Sequence, residues 1–182
     1  MISAEKGSIE LVQELLEARA DVRMRDRQGK TALYYAIEAA HENLDVISLL
    51  LDFNSDPNAE TNEGKTPLLR AIEKDYFETT KILLEKGGYV NSQLHNTGIL
   101  FSTQKYKFLG DTTLHLAVKK GNKDMVNLLI QYQCDLQKKN KRKETALDLC
   151  KENTEIAQIL QGILQKPKIS VNLLTFYFIR YF

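Results

Sequence analysis

Three histidines and two cysteines are the side chains with the widest chemical reach in this chain of 182 residues, and their spacing decides what they can do. His41, His95 and His115 stand far apart, and neither H-E-x-x-H nor a paired C-x-x-C occurs, so no zinc-ligand cluster is written into the sequence. There is also no G-x-S-x-G elbow and no glycine-rich phosphate cradle. Asp148 and Cys150 fall one turn inside an expected helix with no histidine near them, which leaves a nucleophile without a base. Cys134 and Cys150 fit reduced thiols better than a disulfide framework, and so indicate a reducing compartment. The expectation is a chain without catalysis, metal or cofactor.

The remaining composition is that of an ordinary globular chain, at 43% hydrophobic and 27% charged residues. A net charge of +1 excludes a global pull towards nucleic acid or anionic lipid, so any electrostatic preference must come from patterning. Met1 is followed by Ile, Ser, Ala, Glu and Lys, without the basic start and apolar run of a secretory signal. Cytosol or nucleus is the expected location.

Whatever this chain does must therefore rest on how its elements present a surface, and Gly64 to Asn91 states the element most fully. Thr66 is a helix N-cap and Pro67 follows at the first helical position, where a missing N–H costs nothing. Leu68, Leu69, Ala71 and Ile72 give a short helix to about Lys74 its apolar face, and Phe77 to Lys86 form a second helix with Ile82, Leu83 and Leu84 inward. Gly87 and Gly88 end it. Two helices of this length cannot bury such a face alone, so the unit requires neighbours.

The neighbours are repeats of the same unit. T-x-L recurs at Thr31, Thr66, Thr112 and Thr145, separated by 35, 46 and 33 residues. Gly29, Gly64 and Gly110 stand two residues before the first three threonines, where a backbone turn would call for them; Lys143 takes that place in the fourth. Five places after each threonine comes a small residue, Ala36, Ala71, Ala117 or Cys150, which lets helices approach closely.

A period near 33 with T-P-L-H-x-A and two helices resembles the ankyrin repeat, carried by Asp111-Thr-Thr-Leu-His-Leu-Ala117 and by Gly64-Lys-Thr-Pro-Leu-Leu-Arg-Ala71. Asp56-Pro-Asn58, Tyr89-Val-Asn91 and Ala20-Asp-Val22 look like the family's A-D-V-N approach to its finger. The resemblance implies an all-α solenoid of helix-turn-helix pairs with β-hairpin fingers and a concave face made of fingers and first helices. It places an ankyrin domain over 1–164, with repeats at about 1–25, 26–60, 61–106, 107–139 and 140–164, and an apolar tail over 165–182. His115 sits at the T-x-L-H position, where the resemblance implies hydrogen bonding between neighbouring repeats.

Departures from the regular unit are expectations in their own right. Only about one turn of first helix precedes Gly7, so the leading repeat is partial; it reads as a fragment of a longer protein or as a cap for the stack. Two extra residues around Ala39 to Asn43 lengthen either a helix or a loop. The insertion over 92–109 adds thirteen residues and carries Ile99, Leu100, Phe101, Tyr106, Phe108 and Leu109. It reads as an elongated finger that contacts a partner, as a segment folded back on the stack, or as a tolerated loop. The last repeat is compressed. In the tail, Ile169 to Phe182 is short of a membrane span and includes Asn172 and Arg180, so a strand or flap over the end of the stack, or a poorly ordered end, is expected instead.

By the same resemblance, the variable contact positions are finger tips and outward residues of first helices. These give Arg27, Lys30, Tyr35 and Glu38, then Lys65, Arg70, Glu73 and Lys74, then Phe108, Leu109, Lys119 and Lys120, then Lys141 and Arg142. Ala39, Asp111, Leu116 and Leu149 fall at outward positions by the same reckoning. With Arg23, Arg25 and the run from Lys138 to Lys143, the finger edge reads as basic, and an acidic stretch of a partner protein would complement it. Tyr35 is the aromatic anchor candidate. The expected activity is non-catalytic binding of a partner protein by a monomer, as adaptor, inhibitor or targeting domain. The alternative is recognition of an oligonucleotide or other phosphate-bearing ligand by the basic edge, with salt dependence as the discriminator.

Overall fold

The computed structural model describes residues 1–94, 110–150 and 154–165. Helices arrive in pairs: α1 (Ile2–Glu5) with α2 (Ile9–Glu17), α3 (Ala32–Glu38) with α4 (Leu44–Asp52), α5 (Pro67–Lys74) with α6 (Phe77–Glu85), and α7 (Thr113–Lys120) with α8 (Lys123–Gln131). A 3-10 turn at Leu147–Leu149 precedes α9 (Thr154–Leu164). The first helices stack in order, α1 on α3, α3 on α5, α5 on α7 and α7 on the 3-10 turn, while α2 packs on α4, α4 on α6 and α8 on α9. Helices of this length are not stable in isolation, so the stacking supplies their stability.

Three of the first helices, α3, α5 and α7, begin the same way. The hydroxyls of Thr31, Thr66 and Thr112 accept the backbone N–H groups of Tyr34, Leu69 and His115, at 3.3, 3.2 and 3.4 Å. Asn43 and Asn122 cap α4 and α8 by accepting from Val46 and Met125. The side chains that follow these caps fill one continuous core through the stack, with Leu33, Ile37, Leu68, Leu69, Ile72, Leu83, Leu114, Leu129 and Ile156 fully buried. Each contributes about 1.5–3 kcal/mol of transfer free energy. Ala36, Ala71, Ala117 and Cys150, the small residues five places after each threonine, are all buried.

Turns between units repeat as closely as the helices do. At three tips the first residue donates its N–H to the fifth and accepts, at its own carbonyl, the N–H of the fourth: Asp26 with Lys30 and Gly29, Thr61 with Lys65 and Gly64, Asn140 with Glu144 and Lys143. The fourth residue takes a left-handed backbone, with φ of 78° at Gly29, 72° at Gly64, 79° at Gly110 and 63° at Lys143. Glycine is doubly required at Gly29, because a Cβ there would lie 2.8 Å from the backbone nitrogen of Asn62 on the next finger. The same crowding holds at Gly110, whose Cβ would lie 2.8 Å from the backbone nitrogen of Lys141. Lys143 tolerates a side chain because, among the described residues, no further finger packs on it.

The long insertion enters at such a tip. Leu94 donates to the Asp111 carbonyl and accepts from Gly110, both at 3.0 Å, and so makes the two bonds that residue 107 would make in an uninterrupted register. Gln93 pairs with Thr112 in an isolated antiparallel bridge, and its side chain donates to the Gly110 carbonyl at 2.6 Å. The thirteen extra residues therefore lie between Leu94 and Gly110. The three readings of the insertion itself fall on 95–109, outside the described residues, as do those of the tail beyond residue 165.

Some expectations are sharpened or corrected. Among the described residues no strand is present, and the fingers show as hydrogen-bonded turns with one isolated antiparallel bridge. In the second repeat the extra residues lengthen the loop, since α3 ends at Glu38 and α4 starts at Leu44. The helix expected through Cys150 in the fifth repeat is only a 3-10 turn among the described residues, although Thr145 and Asp148 still exchange hydrogen bonds as a cap.

Two substitutions test these local causes in a chemical denaturation experiment. Thr66→Ala is expected to cost about 1 kcal/mol by removing the α5 cap. Lys143→Gly is expected to raise stability by up to about 1 kcal/mol, because glycine bears no penalty at positive φ.

Candidate functional site

The outward face of the first helices carries a row of charged side chains that reach one another along and across the repeats. Lys30 and Lys65 each stand just before an N-cap, and each reaches a glutamate eight residues on, in the last turn of the same helix. Lys30 Nζ lies 2.7 Å from Glu38 and Lys65 Nζ 2.9 Å from Glu73. Arg70 then joins the two repeats, with one guanidinium nitrogen 3.4 Å from Glu38 and another 3.1 Å from Glu73. Its Nε is buried without a partner. In the fourth repeat the same pair recurs with its polarity inverted, as Asp111 before the cap and Lys119 in the last turn. Asp111 also accepts from Asn140 of the next finger at 3.0 Å.

Tyr35 is half-buried and its hydroxyl donates to Asp26 at 2.8 Å, while Lys30 Nζ lies 5.4 Å from its ring centroid. Asp26 is held below the usual carboxylate range; removal from solvent works against this, and hydrogen bonds from Tyr35 and from the Lys30 and Gln28 N–H groups outweigh it. The Tyr35 phenol is pushed up, chiefly by that bond to Asp26. Tyr34 is buried, and burial pushes its phenol up further still. Both tyrosines remain neutral hydrogen-bonding and packing groups at any physiological pH.

Lys74 has a local task. It donates to the Glu38 and Ala39 carbonyls at 2.9 and 2.6 Å, meeting the free carbonyls at the end of α3, and Tyr76 donates to Ala39 at 3.2 Å beside it. These two side chains fasten the lengthened α3–α4 loop. Ala39, expected at an outward position, is buried beneath them. Leu116 and Asp111 are buried as well, Leu116 against the core and Asp111 between Lys119 and Asn140. Arg27, Lys120, Lys141 and Arg142 are exposed. Phe108 and Leu109 lie outside the described residues.

The side chains that raised the question of chemistry are spread apart. His115 is buried, with Nδ1 accepting from the Thr112 N–H at 3.3 Å and Nε2 placed 3.0 Å from the Glu144 carbonyl, so the ring ties α7 to the last finger. His41 is exposed in the α3–α4 loop, and His95 lies outside the described residues. Burial pushes the Cys134 thiol up to about 12 and raises that of Cys150, so neither is a thiolate nucleophile near neutral pH. Among the described residues no group of histidine, cysteine and carboxylate side chains is placed to hold a metal ion, and no helix is long and apolar enough to cross a membrane.

Sequence reasoning missed Asp26 and Asn140. Both stand five residues before a T-x-L threonine, as does Thr61, and each side-chain oxygen accepts two backbone N–H groups within its turn. The recurrence of Asp, Thr and Asn at that offset was the available signal. Asn58 and Asn91 likewise accept the N–H groups of Tyr89 and Asp135 on the following unit, both at 2.7 Å, which explains the asparagine of the approach sequence.

A family model described as ankyrin repeats (3 copies) matches residues 1–94 and again 92–173. No curated protein matches the chain.

The Lys65–Glu73 pair is about one-fifth to one-quarter exposed, so a modest coupling is expected. A double-mutant cycle with Lys65→Met and Glu73→Gln should give about 0.5–1 kcal/mol in urea denaturation, falling as salt is added. A coupling of zero at low salt would remove the pair from the stabilising contacts.

Proposed function

Since the chain belongs to the ankyrin-repeat family, whose members generally serve as protein–protein interaction modules and are generally non-catalytic, we propose that it holds a partner protein on the face formed by its first helices and finger tips. The observation that carries this reading is the fixed row from Lys30 to Glu73. Its side chains are oriented before any partner arrives, by ion pairs, by the Tyr35–Asp26 bond and by packing over tyrosine rings. Preorganised groups lose little conformational freedom on association, which favours affinity. Tyr35 with Arg70 forms the proposed anchor, while Lys30, Glu38, Lys65, Glu73 and Lys74 surround it with polar groups, and Arg27, Lys119, Lys120, Lys141 and Arg142 extend the surface along the stack. The module acts as an adaptor, inhibitor or targeting domain in the cytosol or nucleus, and as a monomer.

The rival reading, a phosphate-bearing ligand on the basic edge, is weakened by the pairing of Lys30, Lys65, Arg70 and Lys119 with carboxylates. A ligand phosphate would have to displace these.

Affinity capture from cell lysate with the intact chain, set against a Tyr35→Ala, Arg70→Ala variant of unchanged helix signal, tests the proposal. Loss of at least about tenfold in captured partner is expected for removal of two central anchors. Equal capture by the two chains would overturn the assignment of this face.

A further inference from the structure

Positive charge is unevenly available over this molecule. Along the first helices Lys30, Lys65, Arg70 and Lys119 face carboxylates, and Lys74 closes the end of α3. At the last finger tip the situation reverses. Lys139, Lys141 and Lys143 are exposed, and among the described residues their side chains make no hydrogen bond or ion pair. Arg142, also exposed, adds a fourth cation within the same five residues. The corresponding tip over 60–65 carries Glu60 and Glu63 beside Lys65, and that over 25–30 carries Arg25, Arg27 and Lys30 with Asp26, so among these three tips cations are densest at residues 139–143.

The loop that bears these lysines is firmly built. Asn140 is 6% exposed; its Oδ1 accepts the Arg142 and Glu144 N–H groups, and its Nδ2 donates to Asp111 at 3.0 Å and to Glu144 at 3.1 Å. The Glu144 carboxylate and the Glu144 carbonyl, the latter facing His115, are thus engaged in holding the turn. Lys143 is held at φ 63°.

We propose that the last finger tip is a cationic hook, on which Lys139, Lys141 and Lys143 take a short acidic segment of the partner protein. This rests on the protein-binding reading above and moves the electrostatic recognition from the paired face to the finger tip over 139–143. A carboxylate-rich peptide fits better than a nucleic acid strand. Five residues span at most about 17 Å, short of the extended basic groove that tracks a phosphate backbone. No aromatic side chain stands among residues 139–143 to stack a base.

The test uses the full chain and a fluorescein-labelled deca-glutamate peptide, with a labelled single-stranded decanucleotide alongside, followed by fluorescence anisotropy at low and moderate salt. The Lys139→Gln, Lys141→Gln, Lys143→Gln variant is expected to bind the peptide at least about tenfold more weakly. A Lys6→Gln, Arg19→Gln, Lys81→Gln variant, which removes the same charge elsewhere, is expected to bind as the parent does. Peptide binding unaffected by the tip variant, absence of peptide binding, or tighter binding of the oligonucleotide than of the peptide would each overturn the hook. In lysate capture the two readings part company: retained partner with the tip variant counts against the hook alone, whereas retained partner with the Tyr35→Ala, Arg70→Ala variant counts against the concave face.

Discussion

A pair of short helices cannot remove its own apolar face from water, and that constraint organises this chain. Every unit must cover its neighbour, so the close approach of first helices through Ala36, Ala71 and Ala117 is a condition of folding. Once the helices are that near, the turns joining them are also near, and their backbone groups must be satisfied within the narrow space between fingers. The bond from the Asn62 N–H to the Gln28 carbonyl, and those that the Asn58 and Asn91 side chains accept from the Tyr89 and Asp135 N–H groups of the next unit, answer that need.

Charge follows the same geometry. A residue before the cap and one in the last turn stand on the same outward side, so lysine and glutamate there meet without any long-range contact in the sequence. Such partly exposed pairs stabilise only modestly. Their larger effect is to fix orientation, and Arg70, shared between Glu38 and Glu73, couples one repeat's orientation to the next. The inverted pair of Asp111 and Lys119 preserves the geometry while freeing Asp111 to accept from Asn140, which an amine at that position would not do.

The sequence made the repeat itself plain, because caps, tip glycines and small residues are required at fixed offsets by backbone conformation and close packing. Thr31, Thr66 and Thr112 cap as their position predicts, and the left-handed turn shows even where Lys143 replaces glycine. Less legible was the electrical state of the face. Lys30, Lys65 and Arg70 read as part of a basic surface in a linear sequence, since Glu38 lies eight residues from Lys30 and on the unit before Arg70, and only the Arg70–Glu73 pair has the short spacing of helix neighbours. Lys74 read as a contact residue, yet it serves the carbonyls of a loop thirty-odd residues earlier. The compression of the fifth unit was legible, but not that its first helix would shrink to a 3-10 turn among the described residues: its cap residues are present, and helix extent depends on packing that a local pattern does not encode.

The junction at Leu94 and Gly110 carries a consequence for how such a chain can vary. Because Leu94 reproduces the bonds of an ordinary tip residue, α6 and α7 keep their regular extents on either side of the extra sequence. The closure cost of a loop grows only slowly with its length. A finger closed in this way is a port: segments of differing length and composition can be exchanged between the two residues, as cassettes, while the array on either side keeps its register.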